Sequence, residues 1–293
     1  SKSKIFAALQ GLLADVEART LLSMFLLASA QKDLSMCSFR LFGLQKPKEM
    51  KVWSTEVTEE DLKNAVEDEF GVKYSKDWKR LLKAPIGLKG KYSIREGVKV
   101  VGKGAFFNCI FITSINIPER VTSIGESAFY KCNSLKSINI PESVTCIEDY
   151  AFAYCNSLKS INIPESVTTI GKGAFAFCEI LTCVNIPKSV TIIENVTFRS
   201  CNSLMSINIP KNVATIGNGT FVDCNSLKSI NIPESVTSIG EYAFAYCNSL
   251  KSINIPESVI SIGEYAFRSC NSLKSINIPD GVTSIGDGAF FCC

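Results

Sequence analysis

The stretch CNSLKSINIPESVTSIGEYAFAY, residues 224–246, recurs almost letter for letter in this chain of 293 residues. The next copy, CNSLKSINIPESVISIGEYAFRS, begins at Cys247, and looser copies begin earlier. A period of 23 residues is marked by nine cysteines: Cys109, Cys132, Cys155, Cys178, Cys201, Cys224, Cys247, Cys270 and Cys293. A fixed period of this length is typical of a solenoid, in which each unit buries its apolar face only against its neighbours. We therefore predict a repeat array of about nine units over residues 91–293.

The columns of the repeat indicate which side chains are buried. In the unit that begins at Cys132, the side chains expected to point inward are Leu135, Ile138, Ile140, Val144, Ile147, Ala151 and Phe152. Pro141 is expected to end the strand, since proline has no N–H to give to a ladder. Most units carry glycine directly after the inward isoleucine of the return side, which suits a tight turn. Glu148 and Glu194 take that place in two units, so the turn does not strictly require a positive φ.

The recurring pattern L-x-S-I-N-I-P-x-x-V-T-x-I-G-x-x-A-F closely resembles the BspA-like leucine-rich repeats, also called the Treponema pallidum type. The resemblance covers residues 91–293, about two thirds of the chain. It implies an α/β leucine-rich-repeat solenoid: a right-handed superhelix of 23-residue repeats with parallel strands on its concave face. Members of this family are often bacterial surface or secreted proteins implicated in adhesion to host matrix proteins or to other cells, and they are not enzymes.

An N-terminal, mostly helical cap region is expected before the array, beginning with a helical segment over residues 1–52. The run TLLSMFLLASA, residues 20–30, is apolar, and its end resembles a signal-peptide cleavage site. However, Asp15 and Glu17 stand where that signal would carry positive charge, and the run is too short to span a bilayer. We therefore expect a buried helix and no membrane span in this chain. Because the chain begins with Ser1, the sequence leaves open whether a secretion signal precedes it.

Residues 53–90 are predicted to form a second part of the cap, a helix plus a strand pair. Thr58 and Asp61 have the spacing that caps a helix start, and Gly71 is expected to end this helix, so the helix should span residues 59–70.

The segment YSKDWKRLLKAP, residues 74–85, resembles the lead-in found before arrays of this family. Residues 72–85 are expected to form the strand pair around a turn at residues 75–77, and Trp78 stands in place of the glycine usual in the lead-in. Trp53 and Trp78 are expected to cover the open first turn of the solenoid rather than to bind a ligand.

Charge and composition exclude several classes of function. From Tyr92 onward the chain has 15 basic and 16 acidic residues, so it lacks the basic stripe that nucleic-acid binding requires. It has no histidine, which removes the usual general base, histidine-paired nucleophiles and mixed Cys/His zinc sites. No glycine-rich phosphate loop or metal-ligand spacing is present. We predict that the protein is not an enzyme and uses no cofactor or metal.

The regular cysteines are predicted to be reduced and buried. Strands stacked about 4.8 Å apart bring them within the Cα reach of a disulfide. Side chains that point the same way, however, hold the Cβ atoms too far apart for a relaxed bridge. A ladder of small buried thiols is therefore expected. The cysteines off the period are Cys37, Cys146, Cys183 and Cys292.

Candidate binding residues lie between the inward positions of the S-I-N strands, which the resemblance places on the concave face. One asparagine column is unbroken: Asn116, Asn139, Asn162, Asn185, Asn208, Asn231, Asn254 and Asn277. Its amides are interpreted either as a hydrogen-bonded structural ladder or as donors and acceptors for a glycan or an extended protein. The lysine column of the same face is broken by Thr182 and Met205, and the serine column by Cys183. These departures predict a binding patch; neutral drift in two units is the alternative.

The candidate set for the concave face is Asn139, Asn162, Asn185, Asn208, Asn231, Asn254, Lys159, Thr182, Cys183, Met205 and Lys228. A second candidate surface consists of the aromatic columns Tyr150, Tyr242 and Tyr265, and Tyr154, Phe177 and Tyr246. Tyrosine is favoured at interfaces, although here it is more often a cover for the core edge.

The sequence favours a protein- or glycan-binding module in bacterial-type surface adhesion, located at the cell surface or secreted. An intracellular, cytoplasmic scaffold is the first alternative, which reduced cysteines would support, and a structural spacer is the second. Because the array reaches Cys293 without a polar cap, we also predict an end-to-end homodimer through Phe290 and Phe291.

Overall fold

The computed structural model describes residues 53–293, which form one compact unit around a continuous hydrophobic core. The predictions for residues 1–52, the helical segment and its signal-peptide alternative, lie outside the described residues. The chain winds into a β-solenoid of about nine turns, and each unit adds a short strand on two sides of the stack.

The cap elements are α1 (Glu59–Lys63), β1 (Val66–Glu67), β2 (Lys73–Tyr74) and β3 (Arg80–Lys83). The strands carrying the S-I-N motif, or its first-unit equivalent, are β4 (Gly90–Ser93), β6 (Ile112–Asn116), β8 (Ser137–Asn139), β10 (Ser160–Asn162), β12 (Cys183–Asn185), β14 (Ser206–Asn208), β16 (Ser229–Asn231) and β18 (Ser252–Asn254). The return strands are β5 (Val100–Val101), β7 (Ser123–Ile124), β9 (Cys146–Ile147), β11 (Thr169–Ile170), β13 (Ile192–Ile193), β15 (Thr215–Ile216), β17 (Ser238–Ile239), β19 (Ser261–Ile262) and β20 (Ser284–Ile285).

The S-I-N strands form one parallel sheet of eight strands, in the order β4-β6-β8-β10-β12-β14-β16-β18, which we call the S-I-N sheet. Its register is strict: Asn162 pairs with Asn185, and Asn185 pairs with Asn208. An isolated bridge from Asn254 to Asn277 continues this register into the last unit. The parallel strands predicted from the resemblance are therefore confirmed, whereas the right-handed superhelix and the concavity of this side stay predictions.

The return strands form two sheets, because their ladder is interrupted once. One sheet has the order β1-β2-β3-β5-β7-β9-β11, and the other has the order β13-β15-β17-β19-β20. Before the interruption the Thr168 amide donates to the Thr145 carbonyl at 2.9 Å. Among the described residues, the equivalent amide of Thr191 and that of Glu194 donate no such bond to the preceding unit.

The core follows the predicted columns. Every inward side chain predicted for the unit at Cys132 is buried. The phenylalanines of successive units stack face to face, with ring centroids 5.1–5.7 Å apart, from Phe106 to Phe290. Removal of one such buried ring costs about 3–5 kcal/mol in typical cores. Stacking between units therefore supplies the burial that a single unit lacks.

The predicted α/β class is wrong for the described residues, whose regular secondary structure is almost entirely strand. They contain one α-helix, α1, of five residues. The return side of each unit has only a two-residue strand between turns, because β-branched residues pair there with the unit before and the unit after. The return side of the described units therefore has a strand where an α/β repeat would have a helix.

The predicted helix over residues 59–70 is also too long. Its start is confirmed, since the Thr58 side chain accepts from the Asp61 amide and the Asp61 carboxylate accepts from the Thr58 amide. It ends at Lys63, because Val66–Glu67 instead pairs antiparallel with Lys73–Tyr74. Gly71 lies in the hairpin turn between these strands with φ +76°.

The strand pair after this hairpin is confirmed as β2 and β3, which are antiparallel. Trp78 adopts φ +59°, the left-handed conformation that glycine takes without strain. Its ring packs against the core, 5.2 Å from the Tyr74 ring, and the Arg95 guanidinium lies over it at 4.1 Å. Trp78 therefore covers the first turn, as predicted.

Polar contacts hold the cap together and join it to the array. Within the cap, the Arg80 guanidinium bonds the Asp61 carboxylate at 2.8 Å, and it holds the pKa of that carboxyl below its usual range. The Tyr92 hydroxyl, on the first strand of the array, donates to Asp68 at 2.6 Å. Glu148, which replaces a glycine of the repeat, accepts from the Thr55 hydroxyl at 2.8 Å. The cap is thus anchored as far as the third return strand of the array.

Candidate partner-binding face

The S-I-N sheet exposes a polar face, which we call the S-I-N face: the outward side chains of its strands. In β8, Ile138 is buried, whereas Ser137 and Asn139 are exposed on either side of it. The alternation follows from the two-residue period of a strand. The strict register places equivalent side chains of neighbouring units about 4.8 Å apart, so the face consists of straight columns.

The predicted binding residues all lie on this face or at its edge. All six candidate asparagines are exposed. Lys159, Lys228 and Cys183 are also exposed, and Met205 exposes 52% of its surface. Thr182 is half-buried, because its hydroxyl donates to the Lys159 carbonyl at 3.2 Å. The structure thus brings the candidate residues together on one surface.

The amide ladder forms in a different column from the one considered in the sequence. The Asn248 amide donates to the Asn225 side-chain oxygen at 2.8 Å, and the Asn271 amide to that of Asn248 at 3.1 Å. These asparagines follow the regular cysteines. In the part of the chain that the structure describes, no hydrogen bond joins two side chains of the S-I-N asparagine column, such as Asn185 and Asn208. That column is therefore free to bond a partner.

Two lysines of the face were not singled out in the sequence. The position after the strand-ending proline is acidic in most units, but it is occupied by Lys188 and Lys211 in the two units that also carry Thr182 and Met205. Both lysines are exposed. Alignment of the repeats, with each edge of the strand compared separately, would have found them.

The aromatic columns form their own stacks. The Tyr154 and Phe177 rings stack at 4.3 Å, and the Arg199 guanidinium lies 5.8 Å from the Phe177 ring. Tyr242 and Tyr265 stack at 5.1 Å. Each of these contacts joins neighbouring units, so the side chains of each aromatic column stack on one another along the array.

The regular thiols are bonded to the backbone. From Cys132 to Cys270, each Sγ donates to the carbonyl of a phenylalanine 26 residues earlier, at 3.2–3.3 Å. Burial raises the pKa of Cys109 to about 11 and that of Cys178 to about 12, so these thiols are protonated and poor nucleophiles at neutral pH. The regular cysteines up to Cys270 are buried and free, whereas Cys293 is exposed.

Two shallow hollows lie along the return strands, the longer one lined by small residues such as Ser238, Gly240 and Ser261. Over residues 53–293, no three Cys, Asp or Glu side chains gather closely enough to hold a metal ion. The helix found in that range is too short to cross a membrane.

The solenoid and its repeat columns define a leucine-rich-repeat protein. The chain belongs to the family described as BspA type leucine rich repeat region, whose model matches residues 90–205 and 191–293 in six copies. No curated protein matches the chain. The family is one of repeat proteins, and these comparisons indicate no enzyme family.

Solved bacterial structures resemble this fold. A leucine-rich repeat protein from Eubacterium ventriosum ATCC 27560 is 26% identical with a TM-score of 0.56, over 75% of this chain and 53% of that one. A leucine rich cell surface protein from Faecalibacterium prausnitzii A2-165 is 30% identical with a TM-score of 0.47, over 73% and 74%. The T. pallidum leucine rich repeat protein is 25% identical with a TM-score of 0.47, over 78% and 89%. The first of these supports the solenoid fold.

Proposed function

We propose that this protein binds a protein partner through the S-I-N face. The observation that carries the proposal is the exposed asparagine column, whose amides are held in register by the backbone and make no bonds to each other. Rigid donors and acceptors at a spacing of about 4.8 Å match an extended chain or a broad surface better than a small ligand. A small ligand would need one distinctive pocket, and repeated columns do not provide it.

The favoured biological role is adhesion at a bacterial-type cell surface, which the family membership supports. A glycan is the second class of partner, because amides can also bond sugar hydroxyls. A purely structural spacer would need no partner at all, so loss of binding on changing the face would argue against it.

The test is binding of the purified chain to an array of matrix proteins and glycans, beside the variant N162D/N185D/N208D. These side chains are exposed, so the variant is expected to fold and to lose its binding because carboxylates cannot donate as amides do. The control, T145D/T168D/T191D, adds the same charge at exposed positions before the return strands. Binding that survives in the asparagine variant, or is lost equally in the control, would contradict the proposal.

An intracellular scaffold is a second candidate, favoured by the buried, free thiols. Structural disulfides are typical of secreted domains, and reduced cysteines are typical of the cytosol. Protease accessibility of the full-length protein on intact cells separates the two locations, since only a surface protein is cleaved.

End-to-end association through Phe290 and Phe291 stays a proposal. Phe291 exposes 54% of its surface, and Phe290 is only partly buried against the core. Light scattering over a wide range of concentrations tests it, and a monomeric mass throughout would dismiss it.

A further inference from the structure

We propose that the two middle units, residues 178–200 and 201–223, form a docking site for an extended acidic segment of a polypeptide that also carries apolar side chains. The inference rests on the proposed function, since it locates the partner on the S-I-N face and states its chemistry.

The two edges of the S-I-N face carry opposite charges in most units. Before the strand lies a lysine column: Lys136, Lys159, Lys228, Lys251 and Lys274. After the strand lies an acidic column: Glu119, Glu142, Glu165, Glu234, Glu257 and Asp280. Only the two middle units change both edges, with Thr182 and Met205 in the first column and Lys188 and Lys211 in the second. In the two middle units, the residues at both edges of the S-I-N face therefore differ in charge from those of the flanking units.

The altered positions line up across the sheet. β12 and β14 pair in register, Cys183 with Ser206 and Asn185 with Asn208, so the altered positions that flank one strand lie beside those that flank the next. From residue 182 to residue 188 the backbone spans at most about 20 Å, which an extended segment of about six residues would cover.

Across the two middle units, the surface is apolar before the strands, polar along the strands and positively charged after them. Met205 is 52% exposed, and Ile180, just before the same edge, is 43% exposed. Lys188 and Lys211 are exposed, and the ion pairs found within residues 53–293 all lie between residues 56 and 126. The two ammonium groups are therefore available to an acidic partner.

The backbone at Lys188 is held from both neighbouring units. Its amide donates to the Glu165 carboxylate at 3.1 Å, and its carbonyl accepts from the Asn212 side chain at 3.0 Å. In most units the position of Asn212 is a serine that bonds a valine carbonyl, as Ser235 does to Val213 at 2.6 Å. A backbone fixed in this way reduces the ordering cost of binding at Lys188.

The altered edge residues of the two middle units do not result from a loss of the fold, because the core of these units is intact. Leu181, Val184, Ile186 and Phe198 are all buried, and both edges of β12 remain paired. The departures from the repeat on this side of the unit are at exposed or half-exposed positions, where they alter what a partner meets.

A polypeptide fits this path better than a glycan. The outward positions of β6 to β18 carry no aromatic side chain on which a sugar ring would lie. The flexible thioether of Met205 instead contacts apolar side chains readily, and the asparagine amides can bond an extended backbone. Acidic groups would be repelled by the acidic column of the flanking units, which confines the segment to the middle.

The test is selection of a library of short random peptides on the immobilised chain, followed by affinity measurements on the recovered peptides. We expect peptides that combine Asp or Glu with Leu, Ile or Met, and binding that weakens with added salt. The variant K188E/K211E should weaken their binding by about tenfold or more, because attraction becomes repulsion at two positions. The control K76E/K89E makes the same charge change at exposed cap positions and should leave the affinity unchanged.

The outcomes separate this inference from the proposed function. Peptides that lose binding in N162A/N185A/N208A but not in K188E/K211E, or that lack acidic residues, would overturn the docking site and leave the S-I-N face as the binding surface. Recovery of no binder, or of binders indifferent to both variants, would overturn both proposals.

Discussion

At the residue scale, each unit has two backbone positions in the left-handed region. The first of these positions is occupied by tyrosine in some units and by glycine in others. Tyr150 has φ +54° and the equivalent Gly173 in the next unit has φ +60°. A Cβ built on Gly173 would lie 2.5 Å from Cε1 of the Tyr150 ring. The Tyr150 ring therefore occupies the space that a Cβ on Gly173 would need. The same pairing recurs between Tyr265 and Gly288.

We predict that Gly173→Ala lowers the free energy of unfolding by about 2 kcal/mol or more, since it combines left-handed strain with a clash. Gly219→Ala is the matched control: its φ is +59°, but its Cβ would lie 3.2 Å from the nearest atom, in Val196. It should cost about 1 kcal/mol, the backbone part alone. Urea denaturation of both variants measures the difference, and equal losses would show that the Tyr150 ring moves aside freely.

The glycines that follow the return strands are explained by close approach between units, rather than by the tight turn that the sequence suggests. Gly171 and Gly217 do not have positive φ. Instead, a Cβ on Gly171 would lie 2.5 Å from the backbone nitrogen of Asp149 in the preceding unit. The sequence shows that small residues are preferred there, but close approach between units is visible only in the folded stack.

At the element scale, the two sides of the solenoid differ in continuity. The S-I-N sheet passes through the middle units unbroken, whereas the return ladder stops after β11 and resumes at β13. The interruption falls in the unit where Glu194 replaces the repeat glycine and the exposed Ile192 replaces a small polar residue.

We predict that the amides of Thr191 and Glu194 exchange with deuterium faster than the equivalent amides of the neighbouring units. Hydrogen bonds of the ladder protect amides, and these two donate none to the preceding unit. The comparison is with Thr168 and Gly171, whose amides donate at 2.9 Å. Hydrogen exchange followed by mass spectrometry tests this, and equal protection in both units would contradict it.

The sequence predicted the core elements well and the cap less well. The alternation around Ile138 and the turn after Pro141 are local patterns, so they could be read from one unit. The end of α1 could not, because Val66 pairs with Tyr74 eight residues later, and tertiary pairing overrides a helical pattern. The amide ladder was assigned to the wrong column for a similar reason: both columns contain asparagine, and only packing decides which side chains meet.

At the scale of the whole molecule, the buried thiols act together. Each thiol is harder to ionise in the folded chain than in the unfolded chain, since burial raises the pKa of Cys109 from 9.0 to about 11 and that of Cys178 to about 12. A raised pKa stabilises the fold fully below pH 9, and this contribution is lost as the pH rises toward the folded value. The array should therefore be sensitive to alkali.

We predict that, with a reductant present, the free energy of unfolding falls steeply from pH 9 to pH 11. Each fully buried thiol contributes a slope of about 1.4 kcal/mol per pH unit in this range. Cys178→Ala removes one such thiol, so its slope should be smaller by about that amount, although the variant is less stable at pH 7. Identical slopes for the variant and the parent would contradict the prediction.

The candidate binding face could be located from the sequence, but the arrangement of charges at its two edges could not be recognised there. The asparagine column and the departures at Thr182 and Met205 are visible in aligned repeats. The significance of Lys188 depends on the register that sets it at the opposite edge of the same strand. That register is a property of the assembled sheet.

The contacts between units have a consequence for how such a molecule changes in length. The Sγ bonds reach back 26 residues and the Thr168 amide reaches back 23, so they join residues about one repeat period apart. Excision or duplication of one whole 23-residue segment would leave the same contacts at the new junction. Recombination between near-identical gene segments can therefore lengthen or shorten the rod in steps of one unit, and the distance from the middle units to either end is adjustable without a redesign of any contact.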